Sequence, residues 1–175
     1  LFVQLLQKLV CVTEGLQFWE LVENGGDGWK VEEIPGGCGH KFAPDICKHF
    51  VTSSRLCRKR QVINLLNNGF SAERLDNQPL VKIKDWFSGR TDCGCTYQIT
   101  VCLLDEKQEV MQRFKPKAIT LDPVTNYCAW QPMSHTFSDY GPGLRFISFE
   151  HGGRDTKDWK GWYGVRVTSS SVEIY

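Results

Sequence analysis

The chain has 175 residues, 41% of them hydrophobic and 23% charged, with a formal net charge of +1. That length supports one domain with a substantial core, and so small a charge supplies no field for holding a nucleic-acid backbone. No stretch is long and apolar enough to cross a bilayer as a helix.

Leu1, Leu5, Leu6 and Leu9 recur at helical spacing, so the first ten residues read as the end of an amphipathic helix, within a segment over residues 1–15 ahead of a single domain over residues 16–175. Gln4, Gln7 and Lys8 interrupt this stretch and no small-residue cleavage site follows, which argues against a signal peptide. Beyond Gly15 the pattern changes to short strands. The candidates, in order, are Phe18 to Val22, Trp29 to Glu33, Lys48 to Thr52 and Arg60 to Leu65. They continue with Leu80 to Trp86, Tyr97 to Leu103, Val110 to Phe114, Gln131 to Phe137, Arg145 to Glu150, Gly161 to Val167 and Val172 to Tyr175. Tyr97, Ile99, Val101 and Leu103 alternate with Gln98, Thr100 and Cys102, the period of a half-buried strand. Clusters of Gly, Pro, Asn and Asp separate the runs, and one short helix is expected around Ser71 to Asp76 with Ser71 as its N-cap. Thr168 to Ser171 reads as a turn between the last two strands, and Tyr140 before Gly141-Pro142-Gly143 as a corner residue. Many short strands without interleaved helices predict an all-β fold, an antiparallel β-sandwich of the jelly-roll type.

The eight cysteines show no compact disulfide framework and no zinc-ligand spacing, so reduced thiols, a cytosolic setting and no metal are expected. No Asn-x-Ser/Thr acceptor occurs, which agrees with that setting. Arg58-Lys59-Arg60 reads as a solvated basic patch, and Trp29, Trp86 and Trp162 as core residues beside strands. Nothing in the sequence calls for a cofactor. Glu150, His151 and Asp155 invite an acid–base reading, and Cys93 or Cys95 with His135 or His151 a nucleophile–base one. Yet Glu150 and His151 are adjacent in a strand and face opposite sides, and no nucleophile elbow, phosphate loop or paired metal-binding histidines accompany them.

The most informative segment is Phe149-Glu150-His151-Gly152-Gly153-Arg154-Asp155-Thr156-Lys157-Asp158-Trp159-Lys160-Gly161-Trp162-Tyr163-Gly164. It sets Trp159 between Asp158 and Lys160 in a glycine-punctuated loop. An indole plane flanked by polar groups suits a ligand with one apolar face and hydroxylated edges, which describes a sugar ring. A buried, core tryptophan fits the same residue. Lys160 reads as a donor to a glycan or as a surface lysine, and Asp92 as an acceptor of sugar hydroxyls or as a turn cap.

Five motifs appear in order: Asn24-Gly25-Gly26-Asp27-Gly28-Trp29, Val81-Lys82-Ile83-Lys84-Asp85-Trp86, Asp92-Cys93-Gly94-Cys95-Thr96-Tyr97, Ser134-His135-Thr136-Phe137-Ser138-Asp139-Tyr140-Gly141-Pro142-Gly143 and Phe149-Glu150-His151-Gly152-Gly153. Together they resemble the F-box-associated domain of the sugar-recognising F-box proteins, over nearly the whole chain from about Leu16. The resemblance implies a sandwich of about ten strands with a galactose-binding-like fold. It implies a non-catalytic substrate receptor of a Skp1–cullin–F-box ubiquitin ligase that reads the chitobiose core of high-mannose N-glycans on misfolded glycoproteins in ER-associated degradation, in the cytoplasm or at the cytosolic face of the ER. The helical segment within residues 1–15 resembles the linker that joins the F-box to this domain. The F-box that would contact Skp1 is not in this sequence. The family's sugar site matches Trp159, Lys160 and Asp92, and departs at two positions. Its tyrosine before the tryptophan is Asp158 here, and its aromatic after Thr52-Ser53-Ser54 is Arg55. Two lost ring contacts are expected to weaken sugar affinity by about ten- to a hundredfold. The same adapter architecture with a decayed sugar site would recognise protein clients, as would a receptor-like member lacking an F-box.

Overall fold

The computed structural model describes residues 15–175 and, before them, the backbone of Gln4–Lys8. Its strands are β1 (Gln4–Lys8), β2 (Glu20–Asn24), β3 (Lys30–Glu33), β4 (Lys48–Val51), β5 (Cys57–Asn64), β6 (Val81–Ser88), β7 (Cys95–Leu104), β8 (Val110–Phe114), β9 (Ile119–Leu121), β10 (Gln131–Phe137), β11 (Phe146–Asp155) and β12 (Arg166–Ile174). Among the described residues there is one helix, α1 (Ala72–Asp76), which starts where expected, with the Ser71 hydroxyl accepting from the Arg74 amide. The strands form two antiparallel sheets. One runs β10-β6-β12-β4-β3 with β1 also on β12, and the other runs β2-β5-β11-β7-β8 with β9 also on β7. This is the expected all-β sandwich, with twelve strands among the described residues rather than about ten.

Alternation explains the core. In β7, Tyr97, Ile99, Val101 and Leu103 face inward; in β6, Val81, Ile83 and Phe87 do so; in β11, Ile147 and Phe149. Phe87 and Tyr97 stack face to face across the sandwich with centroids 4.0 Å apart. Tyr140 donates its hydroxyl to the Pro79 carbonyl, so the expected corner residue is one.

Four expectations are corrected. Gln4–Lys8 is a strand paired to β12, because an edge with open backbone groups outweighs the weak helical spacing of the leucines; the rest of the expected 1–15 linker lies outside the described residues apart from Gly15, which is in a turn. Residues 161–165 are loop, and Thr168 to Ser171 is a bulge inside one long β12, with Ser169 at φ +51°. The bulge shifts the strand's parity, so that Val167 above it and Val172 and Ile174 below it all face the core. Cys38 and Cys128, 90 residues apart, form a disulfide, so the thiols are not all reduced; Cys47, Cys57, Cys93, Cys95 and Cys102 are free. The bridge anchors a second small cluster, in which Trp130, Ile34, Phe42 and Trp86 pack on the outer face of the first sheet.

The fourth correction is Lys59, which is completely buried rather than part of a solvated patch. Arg58 and Arg60 point out of β5 and Lys59 points in. Its ammonium sits 3.1 Å from the centroid of Trp19 and 4.0 Å from that of Phe50, with no hydrogen-bond partner. Burial pushes its pKa well below that of an ordinary lysine, and the charge of Asp85 opposes the shift. Asp85 is buried too. One carboxylate oxygen accepts from Tyr97 Oη at 2.7 Å and from His151 Nδ1 at 2.6 Å, and the other from Ser170 Oγ at 2.7 Å. Burial works to raise the Asp85 pKa, but His151 and the three donors outweigh it and hold the carboxyl below its usual value. Asp85 therefore joins strands of both sheets.

Asp85→Asn removes the charge and leaves His151 and Lys59 buried without it. The expected loss is roughly 3–5 kcal/mol in urea unfolding; a loss under about 1 kcal/mol would show that the carboxylate is dispensable. His49, on the side of β4 opposite Phe50, is buried against Trp130, and burial lowers its pKa to about 4. The unfolded chain therefore takes up a proton as pH falls through about 6.5, while the folded chain does not until about 4. Stability should fall by about 3 kcal/mol from this group between those pH values. The slope difference between the parent chain and His49→Asn, measured by urea unfolding at several pH values, checks it.

Candidate functional site

Three loops and the β2–β3 turn are stitched together at one end of the sandwich. The Asp155 amide donates to Ser53 O, Thr156 to Gly94 O, and Gly164 to Thr52 O. The Ser53 hydroxyl donates to Gly25 O at 2.9 Å. This convergence requires Gly152 and Gly153 in β11. A Cβ there would lie 1.9 Å from Cys57 O and 1.8 Å from Thr96 O, so both neighbouring strands approach closer than any side chain allows.

Asp155 shapes the last loop. Its carboxylate is buried and accepts from the amides of Lys157 and Asp158 at 2.9 and 2.6 Å, a local turn that lifts residues 157–160 into solvent. Gly161 N donates to Asp27 Oδ2 at 2.7 Å and holds the far side of that loop. Between these anchors Trp159 is 41% exposed, so it is a surface residue rather than a core one. Its ring meets Tyr163 edge to face, with centroids 5.3 Å apart. Tyr163 in turn carries the Arg90 guanidinium 4.6 Å above its ring, and Arg90 grips Asp92 through two bonds of 2.8 and 2.9 Å. The guanidinium keeps the Asp92 carboxyl below its usual pKa.

The structure thus links Trp159 to Asp92 through Tyr163 and Arg90, and leaves Lys160 exposed beside the indole. Arg55 and Asp158 meet each other: Nε lies 3.3 Å from Oδ1, with both side chains more than half exposed. Arg90, Tyr163 and Asp27 were missed in the sequence. Tyr163 lies in the glycine-bracketed run Gly161 to Gly164 and Arg90 two residues before Asp92, and those spacings were the available signals. Trp162, read as core, is only half-buried beneath Lys30, whose ammonium is 4.5 Å from the ring centroid; Trp29 is core and Trp86 belongs to the outer cluster.

The side chains weighed for catalysis do not assemble. His151 is sealed in the Asp85 network, Glu150 faces outward to Arg58 at 2.7 Å, and Asp155 is buried with one oxygen holding its turn and the other without a partner. Burial pushes the Cys95 thiol up to about 12, and His135 lies against Phe114 and Phe137. Among the described residues no group of three or more metal-ligating side chains gathers.

The sequence matches the F-box associated region over residues 3–174. The chain belongs to the F-box associated family. It is 50% identical over 167 residues to F-box only protein 2 of Bos taurus, covering 94% of this chain and 56% of that protein. It is 46% identical to F-box only protein 6 of Homo sapiens over 166 residues, with 94% and 56% coverage, and 45% identical to human F-box only protein 44, with 94% and 65%. The chain therefore spans between 56% and 65% of the length of these curated relatives. Among solved structures, TmCBM61 in complex with β-1,4-galactotriose superposes with a TM-score of 0.56 at 10% identity, covering 97% of each chain. The enzymatically active domain of bacteriophage CBA120 tailspike protein 4 gives 0.58 at 12%, covering 93% of this chain and 20% of that one. Both likenesses concern the fold.

The Arg55–Asp158 pair is exposed and screened. A double-mutant cycle with Arg55→Ala and Asp158→Ala should return a coupling of about 0.2–1 kcal/mol in urea unfolding, falling with added salt. A coupling above about 2 kcal/mol would mean that the pair holds the loop.

Proposed function

We propose that this domain is the non-catalytic substrate-recognition element of a Skp1–cullin–F-box ubiquitin ligase and reads N-glycans. The observation that carries the reading is the bare Trp159 ring, bordered by Lys160 and by the Tyr163–Arg90–Asp92 chain at a loop-built end of the sandwich. The ring offers an apolar face to an N-acetylglucosamine ring and acetamide methyl. Lys160 donates to hydroxyl or acetamide oxygens, and Asp92, already polarised by Arg90, accepts from hydroxyls at the ring edge. Arg55 and Asp158 border the platform and complete the set of five site residues. The ligand is the chitobiose core of high-mannose glycans on misfolded glycoproteins, delivered for ubiquitination and ER-associated degradation. Skp1 and cullin are reached through an F-box outside this sequence. The cytosolic location in this reading rests on the family and not on the thiols, since one pair is oxidised.

One observation favours a second reading, in which protein clients replace sugar. Arg55 and Asp158 satisfy each other where rings would widen the platform, and leave a charged, hydrogen-bonding edge suited to a peptide surface.

A glycan array separates the two. Under the first reading chitobiose-terminated and high-mannose glycans bind, and Trp159→Ala lowers that binding by at least about tenfold, the equivalent of one stacked-ring contact with its buried area. Absence of any glycan signal from the parent chain, with client proteins still captured after deglycosylation, sinks the sugar reading and leaves the protein one.

A further inference from the structure

A second feature lies near this site and shares only Arg90 with it. Arg166 occupies the top of β12, opposite Ser88 of β6 and Val51 of β4 in register. Val165 and Val167 on either side of it fill the core, so Arg166 projects from the other face of the sheet. There the segments joined by the Cys38–Cys128 disulfide cover it, and only 8% of the residue remains exposed. A cleft of about 230 Å³ is left beneath them, lined by Arg166, Arg90, Thr91, the Gly36–Gly37 backbone, Tyr127 and the disulfide.

A buried guanidinium is ordinarily paired with carboxylates or carbonyls. Among the described residues Arg166 has neither hydrogen bond nor ion pair, and its Nε is sealed from solvent without a partner. Ser88 Oγ, directly across the ladder, is equally sealed and unpartnered. The two carboxylates whose fields reach Arg166 are engaged elsewhere. Asp92 is held by Arg90, and Glu32 lies 3.6 Å from the Lys30 ammonium. Burial first, and the charge of Arg90 second, lower the Arg166 pKa. A guanidinium starts so high that it stays charged at neutral pH all the same. A buried cation without a direct partner is costly even with distant carboxylates in reach, and water filling the cleft would satisfy N–H groups without neutralising it.

We propose that this cleft is an oxyanion site, in which the Arg166 fork binds a phosphate or sulfate group with Arg90 at its lip. The fork geometry of a guanidinium matches two oxygens of such a group. The volume accommodates one tetrahedral anion, and the glycine pair in the wall lets it approach backbone without side-chain obstruction. The site is distinct from the indole platform, although Arg90 touches both. The anion is therefore either free or carried on a sugar, and the chemistry of recognition is the same.

Thermal unfolding and calorimetric titration of the chain at pH 7 test this. Inorganic phosphate, against chloride at matched ionic strength, is expected to raise Tm in a saturable way, as ligand binding to the folded state alone requires. Arg166→Gln should weaken phosphate binding by at least about tenfold, the loss of one charge-assisted pair. Should that variant not fold, Thr91→Asp places a like charge at an exposed position in the lining and should weaken binding in an otherwise unaltered protein. Trp159→Ala should leave the phosphate response intact, so failure of sugar reading and failure of this site are read separately. Mannose 6-phosphate binding much more tightly than phosphate marks a sugar-borne anion, and equal binding a free one; either supports the site. A Tm that follows ionic strength alone, or a response unchanged in both Arg166→Gln and Thr91→Asp, overturns it.

Discussion

One buried carboxylate sets the terms for the rest of the molecule. Asp85 lies between two sheets that otherwise meet through apolar side chains, and it takes donors from β7, β11 and β12. Apolar packing favours compactness but is tolerant of sliding, because contact between aliphatic groups is non-directional. Three hydrogen bonds to a single carboxylate are directional and fix how the sheets sit. Asp85 also makes the burial of Lys59 intelligible. The lysine has no hydrogen-bond acceptor, and its charged form is supported by the field of Asp85 and the faces of Trp19 and Phe50. The bulge in β12 belongs to the same arrangement, since the parity change is what turns Ser170 toward Asp85.

From that fixed frame the loop-built end of the sandwich follows. β11 runs through the middle of the second sheet and carries the glycine pair that lets β5 and β7 close on it. Immediately beyond, Asp155 turns the chain outward, so the exposed loop is built on the rigid end of a central strand. A platform mounted this way loses little freedom on meeting a ligand, which is the main cost a flexible loop would impose. Trp159 meets Tyr163 in a T-shaped contact and Tyr163 is covered by Arg90, while 41% of Trp159 stays exposed to solvent.

The regular parts of this fold were legible because alternation is a strong local signal. β8 and β10 have the bounds that their residues suggest, and the Ser71 cap is visible three residues ahead of its partner amide. What was illegible depended on partners distant in sequence. Lys59 between two arginines looks solvated until the strand's inward face is known to meet three aromatic rings and a carboxylate. The pairing of Cys38 with Cys128 follows from where two loops cross, and β9, at three residues, is too short to carry a pattern. At the site, residue types disclosed Trp159, Lys160 and Asp92 as candidates. For Arg90 and Tyr163 spacing gave only a weak signal, because they act through contacts between separate loops.

Arg55 and Asp158, the two positions where the resemblance implies aromatic rings, are physically one feature. Arg55 and Asp158 come from different loops, yet their charged ends meet at 3.3 Å, so each removes the cost of the other's charge beside an apolar ring. Asp158 also sits at φ +58°, in the left-handed region that Asp tolerates better than a bulky ring does. Asp155 secures that conformation by bonding the Asp158 amide. A ligand approaching Trp159 therefore meets a hydrophobic plane with a zwitterionic border instead of a wider hydrophobic trough. Such a border rewards hydrogen-bonding groups at the ligand's edge and penalises apolar ones, because desolvating an ion pair without replacing its bonds is costly. In the proposed reading the pair shifts recognition from area to polar complementarity, and favours a ligand rich in hydroxyl, amide or charged groups.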